Sequence, residues 1–576
     1  MTIINGGQKT GNNLFYILEE FSVNESEKTI FENAGEVENI FAFVWGNNTS
    51  TIGGTIQTQG KANFFLINPN GIIFAENAHL AIDGSIIATT ATSIQFQDPI
   101  ELTISKIDSE SNLAGSTPIK LHFNNNSGAI TVNGSGNQIK KDSPLAPIEA
   151  EQLPIGLTPT SNQTLSLASN GLIFNGGVIS TFGGQIYLSS IKSGEMNINQ
   201  TESGFTLVGF DQNEYQNIDF NRQSLIYAED NQQAEIVSLT GKNISLLDGS
   251  FVLSQNRSSL VTGSLKFNAT ETLTLSGKVS SVRSNIRSES FHTGKGAKIV
   301  ICADKALIEN GGRIRSNSFG NSDGGEIEVD VNNSIQMTNS SIIATTFATG
   351  NAGQIELSTS TLRLNAAGLS SSTNGKGNGG TLNVNADLVE IIGTASTDRA
   401  SIATTSFSAG DAGNLLLKGK QLRVIDGASL SSSSFGDGNA GNMMLKVTES
   451  IEVKGKGNDG YKTSNNAQSI IRSAVQTVPK RARKALGLPD VPSGNSGNLT
   501  IETSALNIIE QGVVSVENQG TGNSGLLSIF AQNLNMRDTA KITAANTSGT
   551  DGKISLNISN LQMNDSSRIT PEIQNN

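Results

Sequence analysis

Asp411-Ala412-Gly413-Asn414-Leu415-Leu416-Leu417-Lys418-Gly419-Lys420-Gln421-Leu422-Arg423-Val424 holds one full statement of a pattern that the C-terminal half of this chain repeats. A turn triplet ends on Gly413. Apolar residues follow two and four positions later, at Leu415 and Leu417, and again at Leu422 and Val424. Alternation with a period of two means a strand with one buried face. The same turn recurs at Asp323-Gly324-Gly325, Asn351-Ala352-Gly353, Asn378-Gly379-Gly380, Asn439-Ala440-Gly441, Asn495-Ser496-Gly497, Asn523-Ser524-Gly525 and Asp551-Gly552. The last glycines are spaced by 28, 27, 33, 28, 56, 28 and 27 residues. A fixed period of this size is the mark of a solenoid.

The first apolar pair holds in every unit, from Ile327/Val329 to Ile554/Leu556. The second pair slips by one residue in two units, to Ile335/Met337 and Ile451/Val453. A third stretch, rich in Ser, Thr and Ala, comes next, as in Ile342-Ile343-Ala344-Thr345-Thr346 and Leu430-Ser431-Ser432-Ser433. Three short strands per period with no helix between them predict an all-β chain wound as a right-handed parallel β-helix. An ankyrin or tetratricopeptide unit would show a 3.6-residue apolar period, and a leucine-rich repeat its fixed Leu and Asn pattern. Neither is present. The 56-residue interval reads as one coil with an insertion at about 454–492, because only one third-strand sequence, Ser469-Ile470-Ile471-Arg472-Ser473, falls in it. The rest of that insertion reads as loop. Residues 100–165 are polar and Pro-punctuated and read as an irregular extension or long loops. Residues 201–232 read as a further loop-rich insertion.

Composition agrees. Of 576 residues 61 are Gly, only 11 are Pro, and aromatics make up 5%. Such usage favours many short strands with turns. The formal net charge of −12 repels phosphate backbones, so neither nucleic acid nor an anionic membrane surface is an expected partner. The single cysteine, Cys302, reads as a small buried strand residue and excludes a disulfide within the chain. Near-absence of Cys suits a chain that crosses the periplasm unfolded, and equally a cytosolic one. No run of 18 apolar residues exists, so no membrane span is expected.

The N-terminal region carries a different signal. Phe65-Leu66-Ile67-Asn68-Pro69-Asn70-Gly71-Ile72-Ile73-Phe74-Ala75 sets two apolar runs about a four-residue corner. Pro69 fixes φ, and Asn70 and Gly71 tolerate φ > 0, so the stretch reads as strand, tight turn, strand. Around it stand Ile4-Asn5-Gly6-Gly7, Gly11-Asn12-Asn13-Leu14-Phe15, Glu19-Glu20-Phe21-Ser22-Val23, Asn39-Ile40-Phe41, Ile52-Gly53-Gly54-Thr55-Ile56 and Ser85-Ile86-Ile87-Ala88-Thr89-Thr90-Ala91. This ordered set resembles the secretion domain of filamentous-haemagglutinin-type proteins, the exported members of two-partner secretion systems in Gram-negative bacteria. It resembles their cyanobacterial branch most closely. The second signature of the original haemagglutinins, Asn-Pro-Asn-Leu, is absent; Val44-Trp45-Gly46-Asn47 occupies that region.

The resemblance implies a secretion domain over 1–200 and a β-helical stalk over 201–576. It implies an outer-membrane β-barrel transporter with periplasmic domains as partner. Asn68, Pro69, Asn70, Gly71 and Ile72 would be the motif that the transporter recognises. It also implies an extracellular or cell-surface destination, an adhesin-like role, and a surface receptor or matrix polysaccharide as the outer partner. A cleaved signal peptide is implied too, yet Met1-Thr2-Ile3 runs straight into the first block with no basic or apolar leader. A start placed too far downstream and a truncated gene are the two readings of that.

Chemistry-bearing motifs are sparse. His79, His122 and His292 are scattered with no metal-type spacing, and no Gly-x-Ser-x-Gly elbow exists, so no catalytic residue, metal or cofactor is assigned. The alternative is an extracellular β-helix enzyme acting on polysaccharide. Asp323, Asp411 and Asp551 do align in one phase with Asn378, Asn439, Asn495 and Asn523, but Asn and Asp are the favoured residues before a turn glycine. One basic run, Lys480-Arg481-Ala482-Arg483-Lys484, lies between Pro479 and Pro489. It reads as a solvated loop, with a protease-sensitive segment or a polyanion contact as the functional alternatives.

Overall fold

The computed structural model describes residues 1–108, 111–201, 204–210, 212–229, 235–393, 400–457, 468–550, 552–564 and 566–571. They form two compact units: Met1–Gln255 with Thr262–Asn285, and Asn256–Val261 with Ile286–Asn576. Each is built of parallel strands stacked coil upon coil, the parallel β-helix that the repeats predict.

In the first unit, strands Asn13–Leu18, Asn39–Val44, Asn63–Ile67 and Ile86–Thr89 pair in parallel, with Phe15, Phe41, Phe65 and Ile87 in register. Inward-facing aromatics stabilise this wall. Phe15 stacks on Phe41 at 5.0 Å and Phe41 on Phe65 at 4.5 Å, all three buried. A polar ladder starts the same strands. Asn39 Nδ2 donates to Asn13 Oδ1, Asn63 Nδ2 to Asn39 Oδ1, and the Ser85 N–H to Asn63 Oδ1, each at 3.0 Å. A second wall is a four-stranded parallel sheet of Thr2–Ile4, Lys28–Phe31, Thr55–Thr58 and His79–Ala81.

The described residues of 100–165 and 201–232 form more regular structure than their polar composition predicts. Ser93–Phe96, Glu101–Thr103, Pro118–Phe123 and Gly204–Gly209 join the second half of the long strand Gln185–Thr201 in an antiparallel sheet. Its inward residues alternate: Leu121 and Phe123, Met196 and Ile198, Phe205 and Leu207. They pack against the aromatic wall, with Phe96 edge-on to Phe41 at 5.4 Å and Phe205 edge-on to Phe65 at 5.4 Å. The strands are short and spread over more than a hundred residues, so a local reading sees only loops. Ile130–Asn133 returns to the coils, paired on Ile72–Phe74 and Leu172–Asn175. Ile218–Asn221 and Leu225–Glu229 are coil strands too, stacked on Leu172–Asn175 and Val178–Phe182. From the 134–157 segment, Ile139, Ile148 and Leu153 pack against Leu225, Tyr227, Phe251 and Leu253.

In the second unit the first two predicted strands of each period run together. They form single strands such as Ile327–Thr338, Ile355–Asn365, Leu382–Ile392, Leu415–Ile425 and Met443–Lys454. The reason is continuous pairing: Ile355–Asn365 lies against Leu382–Ile392 with no shift of register. Where the second apolar pair slips by one, the ladder carries a shift, between Val331 and Ser334 and between Val447 and Ser450. One extra residue at the corner restores Ile335 and Ile451 to the inner column. The third stretch forms separate six-residue strands, Ser341–Thr346, Gly368–Thr373, Ser401–Ser406 and Ser429–Ser434. Their last hydroxyls turn to the backbone. Thr346 Oγ1 donates to Gly350 O at 2.6 Å, Thr373 Oγ1 to Gly377 O at 2.5 Å, and Ser434 Oγ to Gly438 O at 2.5 Å. Buried hydroxyls therefore satisfy the turn that follows.

The turn glycines are required by close approach of backbone. A Cβ on Gly353, Gly380, Gly413 or Gly441 would sit 1.9–2.1 Å from the carbonyl oxygen of the equivalent glycine one coil before. A second column three residues earlier, Gly350, Gly377, Gly410 and Gly438, is just as crowded at 1.8–2.0 Å. The motif is thus Gly-x-x-Gly. Across the long interval, Met443–Lys454 pairs directly with Leu499–Ile509, and Ile470–Val475 lies between Ser429–Ser434 and Val513–Asn518. Of the rest of that segment, read as loop, Lys480–Leu486 is an α-helix and 458–467 lie outside the described residues. Cys302 is half-buried, not interior: it alternates with the inward-facing Ile301 and Ala303.

Candidate functional site

The corner at 68–71 joins strand Asn63–Ile67 to strand Ile72–Phe74. The Gly71 N–H donates to Asn68 O at 3.2 Å and closes the turn. Gly71 has φ +123°, a conformation that side chains rarely adopt, and a Cβ there would also press on Ala129 O at 3.1 Å.

Asn68 is fully buried and fully engaged. Its Oδ1 accepts the Asn70 N–H at 2.9 Å. Its Nδ2 donates to Asn48 O and to Ser50 Oγ, both at 2.9 Å. Its backbone N–H donates to Thr89 O at 3.0 Å. The Asn side chain is the right size for this task because it offers a turn-closing acceptor and two donors on one short stem. On the other side of the corner, the Gly128 N–H donates to Pro69 O at 2.7 Å and the Ile72 N–H to Ala129 O at 3.1 Å. Gly128 must be glycine: a Cβ would fall 2.4 Å from Asn70 O. Ile72 is interior, in register with Ser50 before it and Ile130 after it.

The five motif residues therefore split. Asn68, Gly71 and Ile72 are buried; Pro69 is half-buried and Asn70 exposed. Asn70 reaches back through Nδ2 to Gly46 O at 2.5 Å, and its carbonyl accepts the Thr49 hydroxyl at 3.2 Å. Val44-Trp45-Gly46-Asn47 thus lies directly beneath the corner. It contains Trp45, the sole tryptophan, which is 45% exposed. Sequence reasoning missed Asn48, Ser50 and Gly128, which have no motif spelling and come from other coils.

The aligned turn residues of the second unit form a ladder. Asp323 Oδ1 accepts the Asn351 N–H at 2.8 Å, and Asn351 Oδ1 the Asn378 N–H at 2.9 Å. Asn378 Oδ1 accepts the Asp411 N–H at 2.9 Å, and Asp411 Oδ1 the Asn439 N–H at 2.7 Å. Asn439 and Asn495 continue it at 2.8 Å each, and Asn523 accepts the Thr550 N–H at 3.0 Å; Asp551 lies outside the described residues. The column is a backbone-capping device, so it lends no support to a polysaccharide-degrading site. Among the described residues no group of three or more His, Cys, Asp or Glu could hold a metal ion. No helix among them is long and apolar enough to cross a membrane.

Fold and corner together define a β-solenoid whose first unit carries a glycine-asparagine corner locked between coils. Residues 1–242 match the family model described as the TPS secretion domain. Among solved structures the chain is similar to the HMW1 secretion domain from Haemophilus influenzae, at 13% identity and a TM-score of 0.22 over 97% of each chain. No curated protein matches it.

Proposed function

We propose that this chain is a secreted, adhesin-like exoprotein of a two-partner system, of the cyanobacterial-like branch that its N-terminal blocks resemble. The first unit carries the address, read by the periplasmic domains of an outer-membrane β-barrel transporter, with 68–72 at its centre. The coils of the second unit present loops to a surface receptor or matrix polysaccharide outside the cell. The observation that carries the reading is the match of residues 1–242 to the TPS secretion domain. The geometry of the corner adds a division of labour. Asn68, Gly71 and Ile72 are interior and hold the coils, while Pro69 and Asn70, though bonded to Gly128 and Gly46, are the motif residues with surface open to a partner. Stacked coils need only their neighbours to fold, so folding outside the cell can follow the order of emergence.

The test is release of the full chain, preceded by a cleavable signal peptide, from a Gram-negative host that carries its cognate transporter. Replacing Pro69 and Asn70 together by Ala is expected to reduce the amount in the medium at least tenfold. The purified variant is expected to keep its fold. Undiminished release of a folded P69A/N70A protein would sink the address reading.

A further inference from the structure

The basic run 480–484 has no place in the proposed export role, and the structure sets it apart. Lys480–Leu486 is a seven-residue helix with no buried residue. From Thr477 to Gly487 no residue is buried; the nearest anchors are Gln476 on one side and Leu488 on the other. The helix is held by its own ends: the Leu488 N–H donates to Arg483 O at 2.9 Å past a left-handed Gly487, and Arg483 Nη1 donates to Asp490 O at 2.6 Å. An isolated helix this short is unstable in water without packing, so opening it costs little. Lys480, Arg481 and Lys484 are exposed.

The chain on both sides is locked elsewhere. Ile470–Val475 and Val513–Asn518 pair with each other, and Met443–Lys454 pairs with Leu499–Ile509 across the segment. Losing one peptide bond at the helix removes none of those ladders. The other exposed basic pair, Lys140-Lys141, differs. Ile139, Asp142 and Ile148 beside it are buried, the Lys140 N–H donates to Gln152 Oε1 at 2.9 Å, and the Ser281 hydroxyl donates to Lys140 O at 2.9 Å.

We propose that 480–484 is a processing site for an endoprotease that cleaves after basic residues, and that the cut protein stays one folded particle. The step is hydrolysis. The C–N bond after Lys or Arg breaks, the carbonyl carbon takes the hydroxyl of water, and the new amine takes its proton. Exposed, weakly packed segments are where such cuts fall.

The experiment treats the full native chain with a limiting amount of trypsin. Fragments are identified by mass, and the particle by size exclusion with and without urea. The first cut is expected to give a C-terminal fragment that begins between Arg481 and Ala485, with both pieces co-eluting natively and separating in urea. A first cut at Lys140, Lys141 or any other position overturns the proposal, as do pieces that part in native buffer. The K480Q/R481Q/R483Q/K484Q protein, checked for an unchanged melting curve, is expected to survive at least tenfold longer. An unchanged half-life overturns the proposal as well.

Discussion

Asn68→Ala should unlock the corner, and the size of the effect can be worked from its bonds. The substitution removes the acceptor of the Asn70 N–H and both donors, to Asn48 O and Ser50 Oγ, all at 2.9 Å. Each such bond is worth about 1 kcal/mol net, and buried partners left unsatisfied push the figure up, so the first unit should lose about 2–4 kcal/mol. Trp45 is the only tryptophan and leads directly into Gly46, which bonds to Asn70, so its fluorescence reads this part of the fold. With a urea slope of about 2–3 kcal/mol per M, the Trp45 transition should move down by about 1 M. Asn70→Ala is the control. Its loss leaves the turn acceptor in place and removes the Nδ2 bonds to Gly46 O and Asn68 Oδ1 at an exposed residue, so it should cost about 1 kcal/mol, well short of N68A. A midpoint for N68A that matches wild type, or one for N70A that falls as far as N68A, would refute the assignment of Asn68 as the interior lock.

Three further outcomes test the stack. Gly413→Ala places a Cβ 1.9 Å from Gly380 O and should cost the second unit about 3 kcal/mol or more, while Gly368→Ala meets nothing within 4 Å and should change its melting little; equal effects would contradict the close-approach account. Asp411→Asn keeps the oxygen that accepts the Asn439 N–H and should melt near wild type, whereas Asp411→Ala should cost about 1 kcal/mol; a large loss with Asn would mean that the charge matters. Glu390 lies between Arg363 and Arg423, with bonds of 2.7 Å to each. Burial acts to raise its pKa, and the two guanidinium bonds outweigh that and hold the carboxyl below its ordinary value. Its stabilisation is therefore present above the ordinary carboxyl range and lost as pH falls through the lower folded value, so Glu390→Gln should flatten the acid side of the melting-against-pH curve; parallel curves would count against the pairing.

What could be read in advance followed the length over which a signal is written. Gly-turn spacing and period-two pairs are local, and they gave the coils, the inner columns and even the one-residue slips that the bulges before Ile335 and Ile451 explain. The antiparallel sheet from Ser93 to Gly209 was not legible, because Ile94, Leu121 and Met196 sit far apart in sequence and are brought together only by the pairing of Pro118–Phe123 with Ser93–Phe96 and with Gln185–Thr201. Cys302 reads as a small buried strand residue from its type alone, yet the strand alternates and Ile301 and Ala303, not Cys302, take the interior face. The second glycine column was visible in the sequence at Gly350, Gly377, Gly410 and Gly438; its signal was the three-residue spacing to the first.

The corner poses a harder problem, because the proposed address and the keystone share one spelling. Pro69 O and the Ile72 N–H are bonded to Gly128 and Ala129, so the observed corner is complete only once residues 128–129 are in place. A transporter that meets the chain before that point meets Pro69 and Asn70 without those bonds, whereas one that meets the folded unit can reach little of Asn68 or Ile72. Loss of export on changing Asn68 therefore has two physical routes, a missing contact and a missing coil joint. Changing Asn70 weighs less on folding, since its side chain is exposed and the joint it gives up to the preceding coil is the single bond to Gly46 O. The hydrogen bond from the Asn70 N–H to Asn68 Oδ1 ties the two residues together, yet it belongs to the backbone of one and the side chain of the other. It survives Asn70→Ala and is lost in Asn68→Ala. That asymmetry lets the proposed recognition be tested apart from folding within a motif of a few residues.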